Sequence, residues 1–337
     1  MAFDFRDLAA PIVIAPMAGG PSTPELAAAG TDAGGLGFVP AGYLTAPAFA
    51  QQLQSTLGLT SGPVGANLFV PGPSTANPAD LDAYAARLGG EAQRYGVDLG
   101  VPRHFDEDWS AKLEALLEIR PAVVSFTFGL PRLEERRRLT EAGIATVATV
   151  TTVAEARRAA DCGVDALAAQ GPGAGGHRGT FDAIAEPSNQ PLVELVRALS
   201  AQTGLPVVAA GGLMTGSDID QVRHAGACAA QLGTAFLCSD EAGSSPVHRA
   251  ALQGGHFTET AVTKAFSGRY ARGLRNRFVD IYDRHAPLAY PEVHYLTGPL
   301  RAAAVRADDP EAINIWAGTG FAQVQAGPVR EIMAALL

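Results

Sequence analysis

Cysteine is scarce in this chain, which has only Cys162, Cys228 and Cys238 among its 337 residues. An odd set of cysteines without metal-type spacing indicates neither a disulfide framework nor a zinc site. In a chain of this size we expect the three thiols to be reduced, small and buried. The sequence therefore predicts a cytoplasmic protein without a metal centre.

Positive charge is also in short supply, with 25 Lys and Arg residues against 34 Asp and Glu residues and a formal net charge of -9. Polyanions are bound through basic side chains that displace counterions, so this balance excludes nucleic acid as the ligand.

Long apolar runs are lacking as well. The first residues include Asp4 and Asp7 where a signal peptide would be basic, and Pro11 and Pro16 interrupt the apolar run that follows. We therefore expect neither a secretory signal nor a membrane segment.

Short apolar runs alternate along the chain with amphipathic helical patterns, which is typical of βα units and a parallel sheet. Strands so uniformly apolar are covered on both faces. Eight strands favour a closed (β/α)8 barrel, although a doubly wound open sheet would have the same signals and stays open at this stage. The predicted strands are residues 12–15, 36–39, 64–68, 123–127, 145–150, 166–169, 206–210 and 229–232, and the predicted helices include 23–29, 46–57, 133–142, 153–161, 191–202 and 217–225.

One loop has the composition of an active-site segment. Residues 170–180 read Gln-Gly-Pro-Gly-Ala-Gly-Gly-His-Arg-Gly-Thr and follow the sixth predicted strand. The glycines allow the backbone to pass close to a flat or anionic ligand. His177 lies among them and could titrate near neutrality, so we take it as the candidate catalytic residue.

Glycines also follow the seventh and eighth predicted strands, at Gly211-Gly212 and Gly233-Thr234. In (β/α)8 barrels the backbone N–H groups of these two loops frequently bind a phosphate. The pattern predicts a phosphate-bearing cofactor and favours the closed barrel over the doubly wound open sheet.

An ordered set of motifs runs along the chain at residues 15–20, 66–69, 124–129, 170–179, 209–213, 231–234, 266–269, 273–276 and 316–318. This set resembles the class I nitronate monooxygenases, a family of FMN-dependent TIM-barrel enzymes formerly called 2-nitropropane dioxygenases. The resemblance covers essentially the whole chain. It implies an α/β fold in which an FMN-binding (β/α)8 TIM barrel occupies residues 1–241 and is completed by 320–337. It also implies a smaller, mainly helical lid domain, residues 242–319, inserted after strand eight.

The same resemblance implies an active site and a reaction. His177 falls on the family's catalytic histidine, which takes the α-proton from a neutral nitroalkane and otherwise lies against the nitro or nitronate group. The implied reaction is the oxidation of an alkyl nitronate by O2 to a carbonyl compound and nitrite, with propionate 3-nitronate as the implied physiological substrate and nitroalkanes as further candidates. We also expect a homodimer. The implied FMN contacts are Pro16, Met17, Ala18, Asn67, Gln170, Gly175, Gly176, Gly211, Gly212, Gln231, Leu232, Gly233 and Thr234.

Two positions depart from the family pattern. Many relatives have a histidine at the position of Thr127 and an acidic residue at the position of Gly173, so hydrogen bonding near the substrate is expected to differ here. An arginine of the basic stretch 269–277 could attract the carboxylate of propionate 3-nitronate, or the stretch could be a salt-bridged surface helix. We interpret the remaining histidines as surface or packing residues, with His294 the most arguable exception: His104, His224, His248, His256, His285 and His294.

Three other functions remain open from the sequence. FMN-dependent enoyl-acyl-carrier-protein reductases also carry a Gly-Gly-His loop but take electrons from a nicotinamide, and an NADH:quinone reductase is a related alternative. A non-catalytic flavin-binding protein is the alternative from a different class. A titratable His177 argues against that last reading, because a mere binder does not need one there.

Overall fold

The computed structural model describes residues 3–337, and eight parallel strands form its centre. Neighbouring strands are hydrogen-bonded in the order 12–14, 229–232, 207–210, 166–170, 145–150, 123–127, 64–69 and 37–40, and a parallel bridge between Val13 and Leu36 joins the two ends of this series. The predicted (β/α)8 barrel is confirmed, and the open sheet is wrong. The barrel strands are β1 (Ile12–Ile14), β2 (Gly37–Pro40), β3 (Val64–Phe69), β4 (Val123–Thr127), β5 (Ala145–Val150), β6 (Ala166–Gln170), β8 (Val207–Ala210) and β9 (Ala229–Leu232), while β7 (Gly176–His177) is a two-residue strand in the loop after β6.

The barrel strands are apolar because both of their faces are buried. Side chains such as Val13, Val147 and Val208 fill the barrel interior, where Phe5 packs with them. Their neighbours along the strands, such as Ile14, pack outward against the surrounding helices. Alternate strand residues point to opposite faces, so each strand contributes to both layers. With the interior filled by side chains, the loops at the carboxyl ends of the strands are left to build a site.

The helices between the strands begin and end where their capping residues predict. Thr23, Thr45, Thr152 and Thr215 each accept a hydrogen bond from a first-turn N–H group, and Gly163 ends a helix in the left-handed conformation. None of the helices in residues 3–337 has the length and hydropathy needed to cross a membrane. The helices are α1 (Pro24–Asp32), α2 (Ala46–Leu59), α3 (Pro78–Tyr95), α4 (Trp109–Ile119), α5 (Leu133–Glu141), α6 (Val153–Cys162), α7 (Leu192–Thr203), α8 (Gly216–His224), α9 (Pro246–Gln253), α10 (Arg277–Tyr282), α11 (Glu292–Arg306) and α12 (Val329–Leu336).

The segment between β9 and α12 departs from the βα alternation. Besides α9, α10 and α11 it contains an antiparallel pair, β10 (Thr260–Thr263) and β11 (Ala271–Leu274), and β11 also pairs with β7. Its apolar side chains form one hydrophobic core with residues of α3, where the Tyr84 hydroxyl donates to the backbone oxygen of Ala265 over 2.7 Å. This core therefore includes a helix that precedes β4. The domain boundary at residue 242 and the lid role remain predictions.

Candidate active site

A cavity of about 560 Å³ lies at the carboxyl ends of the barrel strands. The loops after β1, β6, β8 and β9 contribute to its wall, as the barrel architecture requires. Every residue for which the sequence suggested a catalytic or cofactor role lines this one cavity: Pro16, Met17, Ala18, Asn67, Gln170, Gly175, Gly176, His177, Gly211, Gly212, Gln231, Leu232, Gly233 and Thr234.

The loop after β6 is held in place by side chains of its own. Gln170 Nε2 donates to the backbone oxygen of His177 over 3.0 Å, and the Gly179 N–H donates to Gln170 Oε1 over 2.8 Å. The Arg178 guanidinium is 1% exposed and donates to the backbone oxygen of Gly171. Both ends of the Gln170 amide and the arginine therefore fix the position of the histidine. The loop is an ordered support and not a flexible turn.

Several backbone donors face the cavity unused. Within residues 3–337, the N–H groups of Gly175, Gly211, Gly212 and Thr234 donate no hydrogen bond. Gly211 and Gly212 have φ values of +125° and +77°, which favour glycine. A Cβ on Gly212 would lie 2.8 Å from Thr319 Oγ1. These loops after β6, β8 and β9 thus form a cradle of free N–H groups of the kind that binds phosphate.

The buried Asn67 on β3 presents an oriented amide. Its Nδ2 donates to Ser125 Oγ over 2.9 Å and to Thr127 Oγ1 over 3.1 Å. Thr127 Oγ1 also lies 3.4 Å from Thr149 Oγ1. Across the described chain the side-chain Oδ1 of Asn67 accepts no hydrogen bond, so it is available to a ligand, whereas the backbone oxygen accepts from the Ala41 N–H. Thr127, where many relatives have a histidine, here serves to orient Asn67.

His177 lies in an apolar, aromatic part of the wall. Its ring centroid is 5.4 Å from that of Tyr290, 5.5 Å from Trp316 and 6.1 Å from Phe128. Burial lowers the pKa of His177 to about 3, and the nearby positive charges of Arg269 and Arg301 act in the same direction. The imidazole is therefore neutral at physiological pH.

A serine far away in sequence fixes the protonation state of the two ring nitrogens. His177 Nε2 lies 2.8 Å from Ser267 Oγ, and the Ser267 hydroxyl donates to the backbone oxygen of Arg269 over 3.2 Å. Because serine has a single hydroxyl proton, its oxygen must then accept from the Nε2–H of the neutral ring. Nδ1 is left as the unprotonated nitrogen and can accept a proton or a hydrogen bond.

Comparisons with known proteins place the chain in a family. The profile described as NMO: Nitronate monooxygenase matches residues 5–337. The nitronate monooxygenase of Pseudomonas aeruginosa is 38% identical over an alignment of 337 positions, which covers 97% of this chain and 95% of that protein. The chain belongs to the nitronate monooxygenase family. Members of this family are flavin-dependent oxidoreductases.

The chain is also similar to a second nitronate monooxygenase and to two solved structures. The nitronate monooxygenase of Paraburkholderia phytofirmans is 38% identical over an alignment of 336 positions, which covers 97% of this chain and 91% of that protein. The crystal structure of nitroalkane oxidase from Streptomyces ansochromogenes superimposes with a TM-score of 0.94 at 44% identity, covering 98% of this chain and 96% of that one. FabK from Thermotoga maritima matches with a TM-score of 0.74 at 26% identity, covering 98% and 93%.

The candidate site includes residues that the sequence analysis did not assign to it. His294, which the sequence left as the arguable exception, and His248, interpreted there as a surface or packing residue, both line the cavity. Burial lowers the pKa of His248 to about 4 and that of His294 to about 2. Arg301 lies on the same wall. The spacing of His294, Gly298 and Arg301 places them on one face of a helix, and this periodicity could have indicated their common role.

The basic stretch 269–277 does not supply the arginine of this wall. Arg269 donates to the backbone oxygen of Thr180, and its guanidinium lies 3.9 Å from the ring centroid of Phe128. As far as residues 3–337 define the cavity, none of the four arginines in this stretch lines it. The others bind as follows: Arg272 to the backbone oxygen of Pro172, Arg275 to Glu259 and Asp280, and Arg277 to Glu91.

Proposed function

We propose that this chain is an FMN-dependent enzyme that oxidises alkyl nitronates with O2 to a carbonyl compound and nitrite. One observation carries the proposal: a neutral His177 lies on the wall of the same cavity as a cradle of unused backbone N–H groups. The names of the curated relatives support the same reaction.

The residues present fit FMN. The free N–H groups of Gly175, Gly211, Gly212 and Thr234 would hold its phosphate, because glycine and helix-start N–H groups bind anions without a side-chain cation. The free side-chain Oδ1 of Asn67 would accept a hydrogen bond from the ring system or the ribityl chain. Bound FMN would supply the transfer of electrons from the nitronate to oxygen.

The protonation state of His177 bears on which form of the substrate is used. A neutral nitroalkane must lose its α-proton, and Nδ1 of His177 is the atom that would accept it. A histidine with a pKa of about 3 is a weak base at neutral pH, far from the matched value that proton transfer favours. A nitronate has already lost that proton, and its negative charge is stabilised by the nearby cations. We therefore propose that the enzyme prefers nitronates to nitroalkanes.

Turnover by FMN-loaded protein tests this function. We expect nitrite release and O2 consumption with propyl 1-nitronate, and rates at least about tenfold lower with 1-nitropropane. His177→Asn should reduce oxidation of 1-nitropropane more than that of the nitronate. Anaerobic bleaching of the flavin by NADH or NADPH, with no nitrite from the nitronate, would show a reductase instead. FMN binding without turnover of either kind would show a flavin-binding protein.

Other features of the proposal have their own supports and tests. The three cysteines of the chain are unpaired, which is the state expected in the cytoplasm. Propionate 3-nitronate as the physiological substrate rests on the family resemblance. The homodimer remains a prediction, and light scattering after size-exclusion chromatography would measure it.

A further inference from the structure

Arg301 places an uncompensated positive charge on the cavity wall. It is mostly buried on α11, and none of the ion pairs within residues 3–337 includes it. Burial lowers the pKa of Arg301 to about 10, so the guanidinium remains charged at neutral pH. A buried cation without a counter-ion is costly unless a charged ligand arrives to pair with it.

The guanidinium is held rigidly and keeps one donor free. Its Nε donates to Thr297 Oγ1 over 3.1 Å and its Nη1 to Asn314 Oδ1 over 3.1 Å. Its Nη2 donates to Nδ1 of His294 over 3.2 Å and to the backbone oxygen of the same residue over 2.8 Å. Of the five N–H groups of an arginine, these contacts leave one on Nη1. The charge is therefore positioned before any ligand binds.

Arg301 also fixes the tautomer of His294. An arginine can only donate, so Nδ1 of His294 must be the accepting nitrogen and Nε2 must carry the proton. The ring stacks on Tyr43 with a centroid distance of 4.2 Å and an interplanar angle of 4°. In residues 3–337 the Nε2–H of His294 donates to no other group. The cavity wall thus offers a second oriented donor beside the cation.

A continuous row of side chains connects this cation to His177. His177 contacts Tyr290, the Tyr290 hydroxyl donates to the Tyr43 hydroxyl over 3.2 Å, and Tyr43 stacks on His294, which binds Arg301. The cation is therefore separated from the histidine by a layer of rings, yet it is close enough to influence the pKa of His177. His177 and Arg301 line the same cavity, so a substrate bound there can contact both side chains.

We propose that Arg301, assisted by the Nε2–H of His294, is the specificity-determining residue of this site and selects nitronates whose far end carries a second anionic group such as a carboxylate. The proposal rests on the proposed nitronate oxidation. It assigns the charge recognition to α11 instead of to the stretch 269–277, whose guanidinium groups are engaged elsewhere.

The test compares two substrates with the same carbon chain, propionate 3-nitronate and propyl 1-nitronate, the second of which lacks the carboxylate. In Arg301→Gln we expect KM for propionate 3-nitronate to rise roughly 10- to 100-fold, because one partner of a buried charge pair is lost. KM for propyl 1-nitronate and the FMN content should change less than about threefold. Arg301→Lys should recover part of the loss. Arg275→Gln, which removes an exposed arginine paired with Glu259 and Asp280, is the matched control and should change neither KM.

Two outcomes would overturn the proposal: equal effects of Arg301→Gln on both substrates, or no effect on either. If the variant does not fold, competition in the wild-type enzyme decides. Succinate should inhibit propyl 1-nitronate oxidation at concentrations at least about tenfold lower than butyrate does, and equal inhibition would contradict the role of Arg301. Failure of the wild-type enzyme to oxidise either nitronate would instead refute the proposed function itself.

Discussion

The neutral His177 predicts a specific loss of stability in acid. In the folded protein the pKa of this imidazole is lowered from 6.5 to about 3 by burial, and Arg269 and Arg301 lower it further. An unfolded chain binds a proton at His177 below pH 6.5, whereas the folded chain does not until near pH 3. Stability is thus fully present above pH 6.5 and is lost as the pH falls toward 3. At pH 5 the difference of 1.5 units below 6.5 corresponds to about 2 kcal/mol.

His177→Asn isolates this contribution, because asparagine can still donate to Ser267 but does not titrate. We would measure urea unfolding by circular dichroism at pH 7 and pH 5 in flavin-free protein. Between pH 7 and pH 5 the free energy of unfolding should decrease in both proteins, and the decrease should be about 2 kcal/mol smaller in the variant than in the wild type. His256→Asn replaces an exposed histidine, with 71% of its side chain accessible, and is the control. An identical pH dependence of His177→Asn and the wild type would refute the reasoning.

Three further substitutions test the remaining parts of the site. Gly212→Ala should raise the dissociation constant of FMN about tenfold or more in a fluorescence titration, since φ is +77° and the new Cβ would lie 2.8 Å from Thr319 Oγ1; an unchanged constant would remove Gly212 from the cradle. Ser267→Ala should lower kcat/KM for nitronates roughly three- to tenfold at constant FMN content, because His177 loses the acceptor that orients it; undiminished kcat/KM would contradict that role. Gln170→Met should release the loop that carries His177 and increase its amide hydrogen exchange, and unaltered exchange would show that other contacts suffice.

The barrel could be predicted from the sequence because its strands are short, apolar and separated by capped helices. Strand β5 was predicted with the bounds that the structure shows, and β1 differs by one residue. The predicted helices did not include α3, which has Gly89 and Gly90 near its middle and therefore a low intrinsic helix propensity. Leu81, Tyr84 and Leu88 stabilise it by packing against the core formed with α11. Such tertiary packing cannot be recognised from local propensity.

The residues of the site likewise fall into those that can be predicted from the sequence and those that cannot. Glycine-rich loops at the carboxyl ends of strands can be recognised from sequence, because few side chains fit where the backbone must approach a ligand. Ser267, His294 and Arg301 lie at least 90 residues after His177 in sequence and reach it only through long-range packing. Each lies in a segment whose local pattern is that of an ordinary turn or amphipathic helix. Only the three-dimensional structure shows which nitrogen of His177 is protonated and which arginine is free.

The distribution of charge explains why a protein with a net charge of -9 can still take an anionic substrate. Within the described chain, no aspartate or glutamate lines the cavity, whereas Arg301 does and the charge of Arg269 lies close behind His177. Acidic side chains on the surface act across water and are screened over about 10 Å, whereas the buried Arg269 and the mostly buried Arg301 are screened much less. The local potential is therefore positive although the whole protein is negative. Burial leaves His177 unprotonated and the same two arginines act in that direction, so the charges that attract the nitronate also help to keep a proton off the imidazole.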